Sequence, residues 1–99
     1  VIGPEEFQKK MQGEEVLLID VRTSEEFEEA HLEGAVNIDF LSDDFLEKVG
    51  ELEDESRPLL IYCRSGNRSG KAAIKLRARG FEDITDLKGG YEAWLEYKK

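Results

Sequence analysis

LLIYCRSGNRSGKAAIKLRARG, residues 59–80, decides the fold. It opens on four apolar residues, crosses a loop of glycine and small polar side chains, and runs on as a basic stretch that stops at Gly80. "LLIY" is too short for a core helix and has the continuous apolar character of a strand buried on both faces. Residues 69–79 have the composition of a helix, with Gly80 as its stop. The stretch is therefore strand, loop and helix. The only cysteine of the 99-residue chain, Cys63, sits where the strand gives way to the loop.

The same alternation extends in both directions. Upstream, "EVLLIDV" (15–21) is a second short apolar run and reads as another buried strand. "TSEEFEEAHL" follows it, and Thr23 with Glu26 has the T-x-x-E spacing of a capping box, so a short helix is expected there. "GAVNIDF" (34–40) is a weaker strand. "SDDFLEKVGEL" (42–52) places Phe45, Leu46, Val49 and Leu52 at helical spacing, with Ser42 as the expected cap. "EDESRP" is a polar loop. Near the start, Gly3-Pro4-Glu5-Glu6 begins a helix with Phe7 and Met11 on one face, ended by Gly13. Downstream, "DITDL" (83–87) is a strand, Gly89-Gly90 a turn and "YEAWLEYK" a last helix. Strands alternating with helices predict an α/β domain with a mostly parallel central sheet and helices on both faces. In such folds ligands bind beyond the carboxyl ends of the strands.

Composition narrows the function. Net charge is −9, which argues against general binding to nucleic acid or an anionic membrane. The charge is unevenly spread: residues 1–58 carry 18 acids and 5 bases, whereas residues 59–99 carry 5 acids and 9 bases. Six of those bases (Arg64, Arg68, Lys71, Lys75, Arg77, Arg79) lie within 64–79, where there is no acid. No segment approaches the ~20 apolar residues of a membrane span, and none has a signal-peptide pattern, so a cytoplasmic protein is expected. A single cysteine forms no internal disulfide and no thiolate metal cluster. No metal and no cofactor is expected.

Two readings of Cys63 remain. It can be a buried spectator that finishes a strand, with the arginines as a solvated face. Alternatively, Cys63-Arg64-Ser65-Gly66-Asn67-Arg68 is a site. Gly66 and Asn67 tolerate positive φ, so the backbone can curl its N–H groups into an anion-binding nest at a helix N-terminus. A cysteine there is favoured as the thiolate. Arg64 and Arg68 add positive charge. The coincidence of strand-end thiol, glycine loop, arginine pair and helix start favours a reactive site that would also stabilise an anionic group carried on Cys63.

The chain resembles a single rhodanese domain over nearly its whole length, 1–99. The resemblance is carried by "LLIDVRTSEEFEEAHLEGAVNI" (17–38), "LLIYCRSGNRSGKAAIKLRARGF" (59–81) and "LKGGYEAWL" (87–95). It implies a three-layer rhodanese-like fold and a sulfurtransferase in which Cys63 is the catalytic nucleophile and carries sulfur as a persulfide. It further implies that the loop amides hold the persulfide and that basic side chains bind an anionic donor such as thiosulfate. The expected substrate-binding residues are Arg64, Ser65, Gly66, Asn67, Arg68 and Arg22. The acceptor would be cyanide or a thiol, including that of a thioredoxin-like protein. Four residues separate Cys63 from Arg68. Phosphatase and arsenate reductase relatives have one more, a wider ring for a tetrahedral oxyanion. The basic "CRSGNR" is similar to a thiosulfate-type loop rather than to the less basic mercaptopyruvate type. With no second cysteine, a resolving thiol would come from another molecule. A partner-dependent persulfide relay is the alternative function, with a phosphatase third.

Other candidates have structural explanations. His31, the only histidine, suggests a Cys–His dyad but fits better as a polar residue at a helix terminus. Asp20 and Arg22 end a strand at the same sheet edge as Cys63. Asp20 fits loop fixing; Arg22 either reaches the site or pairs with acids. Tyr91 and Trp94 have the spacing of core residues rather than of a pocket rim. Ser65 and Ser69 have no base to activate them and read as a loop donor and a helix cap.

Overall fold

The computed structural model describes residues 1–13, 16–52 and 57–99. Glu15 of the expected first strand, the side chain of Leu52 and residues 53–56 of the polar loop lie outside the described residues. Helices and strands alternate: α1 Pro4–Met11, β1 Leu17–Asp20, α2 Ser24–Glu29, β2 Val36–Asn37, α3 Phe45–Leu52, β3 Leu59–Tyr62, α4 Asn67–Ala78, β4 Ile84–Asp86 and α5 Gly90–Tyr97. The strands form one parallel sheet in the order β2-β1-β3-β4. Leu17 to Asp20 align with Leu59 to Tyr62, and Leu59 to Ile61 align with Ile84 to Asp86. This is the α/β architecture expected from the alternation.

The two-residue period of a strand sorts the core. Ile19, Leu59, Ile61 and Cys63 point to one face, where Phe45 and Val49 of α3 and Ala72, Ala73 and Leu76 of α4 cover them. Leu18, Leu60 and Tyr62 point to the other, against Phe7 of α1 and with Tyr91 and Trp94 of α5 packed at its margin. Cys63 therefore belongs to the α4 layer, and the residue before it to the α5 layer.

Several boundaries move for local reasons. The expected strand at 34–40 shortens to Val36–Asn37, though Ile38 and Phe40 still donate to the carbonyls of Asp20 and Val21 at 3.0 and 3.1 Å. Ser42 does not cap α3. Its hydroxyl goes to the Asp44 carboxylate, and the helix begins at Phe45 with the Asp44 carbonyl accepting the Lys48 N–H at 3.0 Å. α4 starts at Asn67 because Gly66 takes φ 107° and turns the chain directly into the helix. Among the described residues, no helix is long and apolar enough to cross a membrane.

Candidate active site

Cys63 directly follows β3 and has 1% of its surface exposed. Its Sγ accepts the Gly66 N–H at 3.0 Å. That contact needs the left-handed backbone at Gly66, which a side chain would strain. Asn67, also expected to tolerate positive φ, does not use it: every positive φ among the described residues is at glycine. Asn67 is instead the first residue of α4, whose first-turn amides lack intrahelical acceptors and form the positive end of a twelve-residue helix. Ser65 is exposed on the loop. Ser69 is not the cap but stands inside the first turn, its hydroxyl donating to the Gly66 carbonyl at 3.4 Å.

The back of the loop is held by the start of α5. The amide of Tyr91 donates to the Cys63 carbonyl at 2.8 Å, and that of Glu92 to the Arg64 carbonyl at 3.0 Å. Gly90 makes this approach possible. A Cβ there would lie 2.6 Å from the carbonyl carbon and oxygen of Arg64 and from the oxygen of Cys63, on a backbone with φ 64°. "GG" reads as a turn in the sequence; here it is also the contact surface behind the thiol loop. Two successive glycines directly before a helix were the available signal.

The arginines have separate surroundings. Arg68 makes a two-pronged contact with Glu26 of α2, at 2.8 and 3.1 Å. Those hydrogen bonds hold the Glu26 carboxyl down at about 2, and the same carboxylate raises the Arg68 pKa. Glu26 also completes the expected capping box with Thr23. Arg22 is 4% exposed. Its Nε and NH2 donate to the Asp20 carboxylate at 3.0 and 2.7 Å, and NH2 also reaches the Ala30 carbonyl at 2.7 Å. Burial works against that charge, but the hydrogen bond and charge of Asp20 outweigh it and raise the Arg22 pKa. Asp20 additionally accepts the Tyr62 hydroxyl at 2.8 Å, and burial pushes the Tyr62 phenol pKa up. Asn37 donates to the carbonyls of Asp20 and Arg22, both at 3.0 Å. Asp20 is thus the loop-fixing residue expected of it. Arg64 is 69% exposed and faces Glu92 at 3.4 Å.

A cleft of about 380 Å3 runs beside the loop, lined by Arg22, Glu26, Glu29, Arg64, Tyr91 and Glu92 among others. Arg22 and Arg64 both line it. Tyr91 is on the rim as well as in the core margin, while Trp94 packs against the apolar side chains on the α1 face of the sheet. His31 does not line this cleft. It follows α2 with Nδ1 2.7 Å from the Phe27 carbonyl and its ring stacked on Phe27 at 3.7 Å, so it serves the helix end. Nothing in the sequence marks Tyr62, Asn37 or Glu92 as site residues, and the spacing of Tyr91 favours the core over the rim it also occupies. Their partners lie on other elements, and only the fold brings them together.

Fold and site define a parallel α/β domain that presents one thiol on a strand-to-helix loop. Residues 3–97 match the family described as Rhodanese-like domain, and the chain belongs to that family. It is 39% identical over 87 residues to "Thiosulfate sulfurtransferase 16, chloroplastic" of Arabidopsis thaliana, covering 79% of this chain and 72% of that protein. It is 42% identical over 98 residues to "Adenylyltransferase and sulfurtransferase MOCS3" of Drosophila sechellia, covering 94% of this chain but only 22% of that protein. The crystal structure of a rhodanese-like domain protein from Staphylococcus aureus superposes with a TM-score of 0.80 at 29% identity, covering 94% of this chain and 88% of that one.

Proposed function

We propose that residues 1–99 act as one sulfurtransferase domain with Cys63 as its nucleophile. The observation that carries this reading is the Gly66 N–H aimed at the Cys63 sulfur, 3.0 Å away, at the start of α4. A donor fixed there stabilises negative charge on the thiolate or on a sulfur added to it. In the first half-reaction the Cys63 thiolate attacks the outer sulfur of thiosulfate, or a similar donor. A Cys63–sulfur bond forms, the donor's sulfur–sulfur bond breaks, and sulfite leaves with the electron pair. In the second, cyanide or a thiolate takes the outer sulfur and the Cys63 thiolate is restored. Ser65, Gly66 and Asn67 supply the backbone around the outer sulfur. Arg64 meets the donor; Arg68, engaged by Glu26, and Arg22, engaged by Asp20, act mainly by shaping the walls. A cytoplasmic setting suits a lone thiol that must stay reduced.

A second reading has its own support. Each arginine beside the loop already faces a carboxylate, which weakens the attraction for a small dianion. Sulfur would then come from a protein persulfide, and the chain would work as a relay. Mass spectrometry of the intact protein separates the two. A gain of one sulfur on Cys63 after thiosulfate treatment supports the first, and a gain only from a protein persulfide supports the second. No gain from either overturns both.

A further inference from the structure

Three arginines stand around the cleft and loop, and only one of them is held loosely. Arg22 is buried on Asp20, and Arg68 makes two hydrogen bonds to Glu26 with about three-quarters of its side chain covered. The Arg64–Glu92 pair differs: its atoms are 3.4 Å apart, and the two side chains are 69% and 58% exposed. Glu92 is nevertheless fixed in place. Its N–H bonds the Arg64 carbonyl at 3.0 Å, and Gly90 presses α5 against the same peptide. The Glu92 backbone therefore moves with that of Arg64, which keeps the two side chains within reach of each other. Both residues also line the cleft, together with the carboxylates of Glu26 and Glu29. Glu26 is occupied by Arg68, and Glu92 is the acid paired with Arg64, so it is the one that competes with an incoming anion for that guanidinium.

We infer that Glu92 is a specificity-determining residue: by holding Arg64 it sets how strongly the site draws an anionic reagent toward Cys63. The assignment rests on the reading of Cys63 as the sulfur-accepting thiol. An exposed pair of this kind is worth at most about fivefold in an equilibrium and is weakened by salt. Glu92 thus tunes anion selectivity without closing the site, and a neutral reagent is indifferent to it. A donor whose sulfur arrives on a neutral or cationic carrier is favoured relative to thiosulfate as long as Glu92 is charged.

Because Cys63 is the only cysteine, alkylation reads this site alone. Rates with iodoacetate and iodoacetamide are compared in wild type, Glu92→Gln, Arg64→Gln and the double variant. Glu92→Gln should raise the iodoacetate-to-iodoacetamide ratio by about two- to fivefold, and that gain should shrink in the Arg64→Gln background and at high salt. KM for thiosulfate should fall by the same factor, with less change in kcat. An unchanged ratio in Glu92→Gln overturns the inference. So does an equal gain with and without Arg64, which would make Glu92 a source of general repulsion. A thiol that neither reagent alkylates overturns it too, since the pair would then guard no entry. The expected alkylation pattern without sulfur gain from any donor upholds the role of Glu92 while refuting sulfur transfer.

Discussion

Replacing Gly90 with alanine is the sharpest test of how the thiol loop is held. The new Cβ would come within 2.6 Å of three backbone atoms, the carbonyl carbon and oxygen of Arg64 and the oxygen of Cys63. Ordinary contact is about 3.5 Å, so the loop and α5 must separate by about 1 Å. The Tyr91–Cys63 and Glu92–Arg64 hydrogen bonds, now 2.8 and 3.0 Å, would then exceed hydrogen-bonding distance. Losing each costs about 1 kcal/mol. Holding a non-glycine residue at φ 64° costs about 1 kcal/mol more. The expected destabilisation is therefore about 3 kcal/mol, small enough to leave a folded protein with ordinary stability of about 5–15 kcal/mol. The loss in sulfur transfer should be on the order of 100-fold, because a 1 Å displacement of a reacting group is costly. Urea denaturation and thiosulfate-to-cyanide transfer measure the two effects. Gly50→Ala is the control: among the described residues nothing outside the backbone of its own helix comes within 4 Å of its Cβ position, and it lies in α3, so the substitution should stabilise by about 0.5–1 kcal/mol. A Gly90→Ala protein with wild-type midpoint and rate would refute the clamp.

Three further outcomes are expected. Cys63→Ser should abolish transfer with a shift in stability below about 1 kcal/mol, because a hydroxyl without a base is a poor nucleophile; retained activity would remove Cys63 as nucleophile. Arg64→Gln should weaken thiosulfate use about tenfold and spare the step with a neutral thiol, whereas Arg68→Gln should damage both half-reactions by freeing Glu26 from the loop; kinetics of the separate half-reactions check this. Glu26 gives a pH signature. Its carboxyl pKa is lowered from 4.5 to about 2 on folding, so its contribution is complete above about pH 4.5 and is lost as pH falls from there through about 2. That contribution is at most about 3 kcal/mol, and about 1–2 after allowing for solvent at the pair. The urea midpoint should fall less between pH 7 and pH 3 in Glu26→Gln than in wild type.

The legible parts of this protein are those that depend on neighbours in sequence. The buried strands follow from apolar runs, the start of α2 from the Thr23–Glu26 spacing, and the position of Cys63 from its place between a run and a loop. Ser42 has the residue type and position of a cap, but two acids follow it and the Asp44 carboxylate takes its hydroxyl. The partners of the site residues were less legible. Glu26 and Arg68 are 42 positions apart, as are Tyr62 and Asp20. Nothing local says that a capping glutamate will also receive an arginine from another helix. Tyr62 looks like one more apolar residue of a strand until its hydroxyl is seen between the Leu32 amide and the Asp20 carboxylate.

One strand feeds two parts of the site because its side chains alternate. Cys63 follows Ile61 onto the α4 face, where the helix start and the Gly66 amide meet its sulfur. Tyr62 follows Leu60 onto the opposite face, where its hydroxyl holds Asp20 and its ring lies 5.6 Å from the Arg22 guanidinium. Asp20 sits beside Tyr62 in the register of β1 and β3, so the two contacts are set by the same ladder. A slip of one residue would exchange the faces, taking the thiol from the helix start and burying it among the residues that hold Arg22. The register of four paired residues thus fixes both the nucleophile and the wall beside it. α5 then ties them together from outside the sheet. Its Tyr91 amide bonds the Cys63 carbonyl while the Tyr91 ring lies 4.6 Å from the same Arg22 guanidinium. The loop can stay short and glycine-containing because its position is imposed by these neighbours rather than by its own side chains.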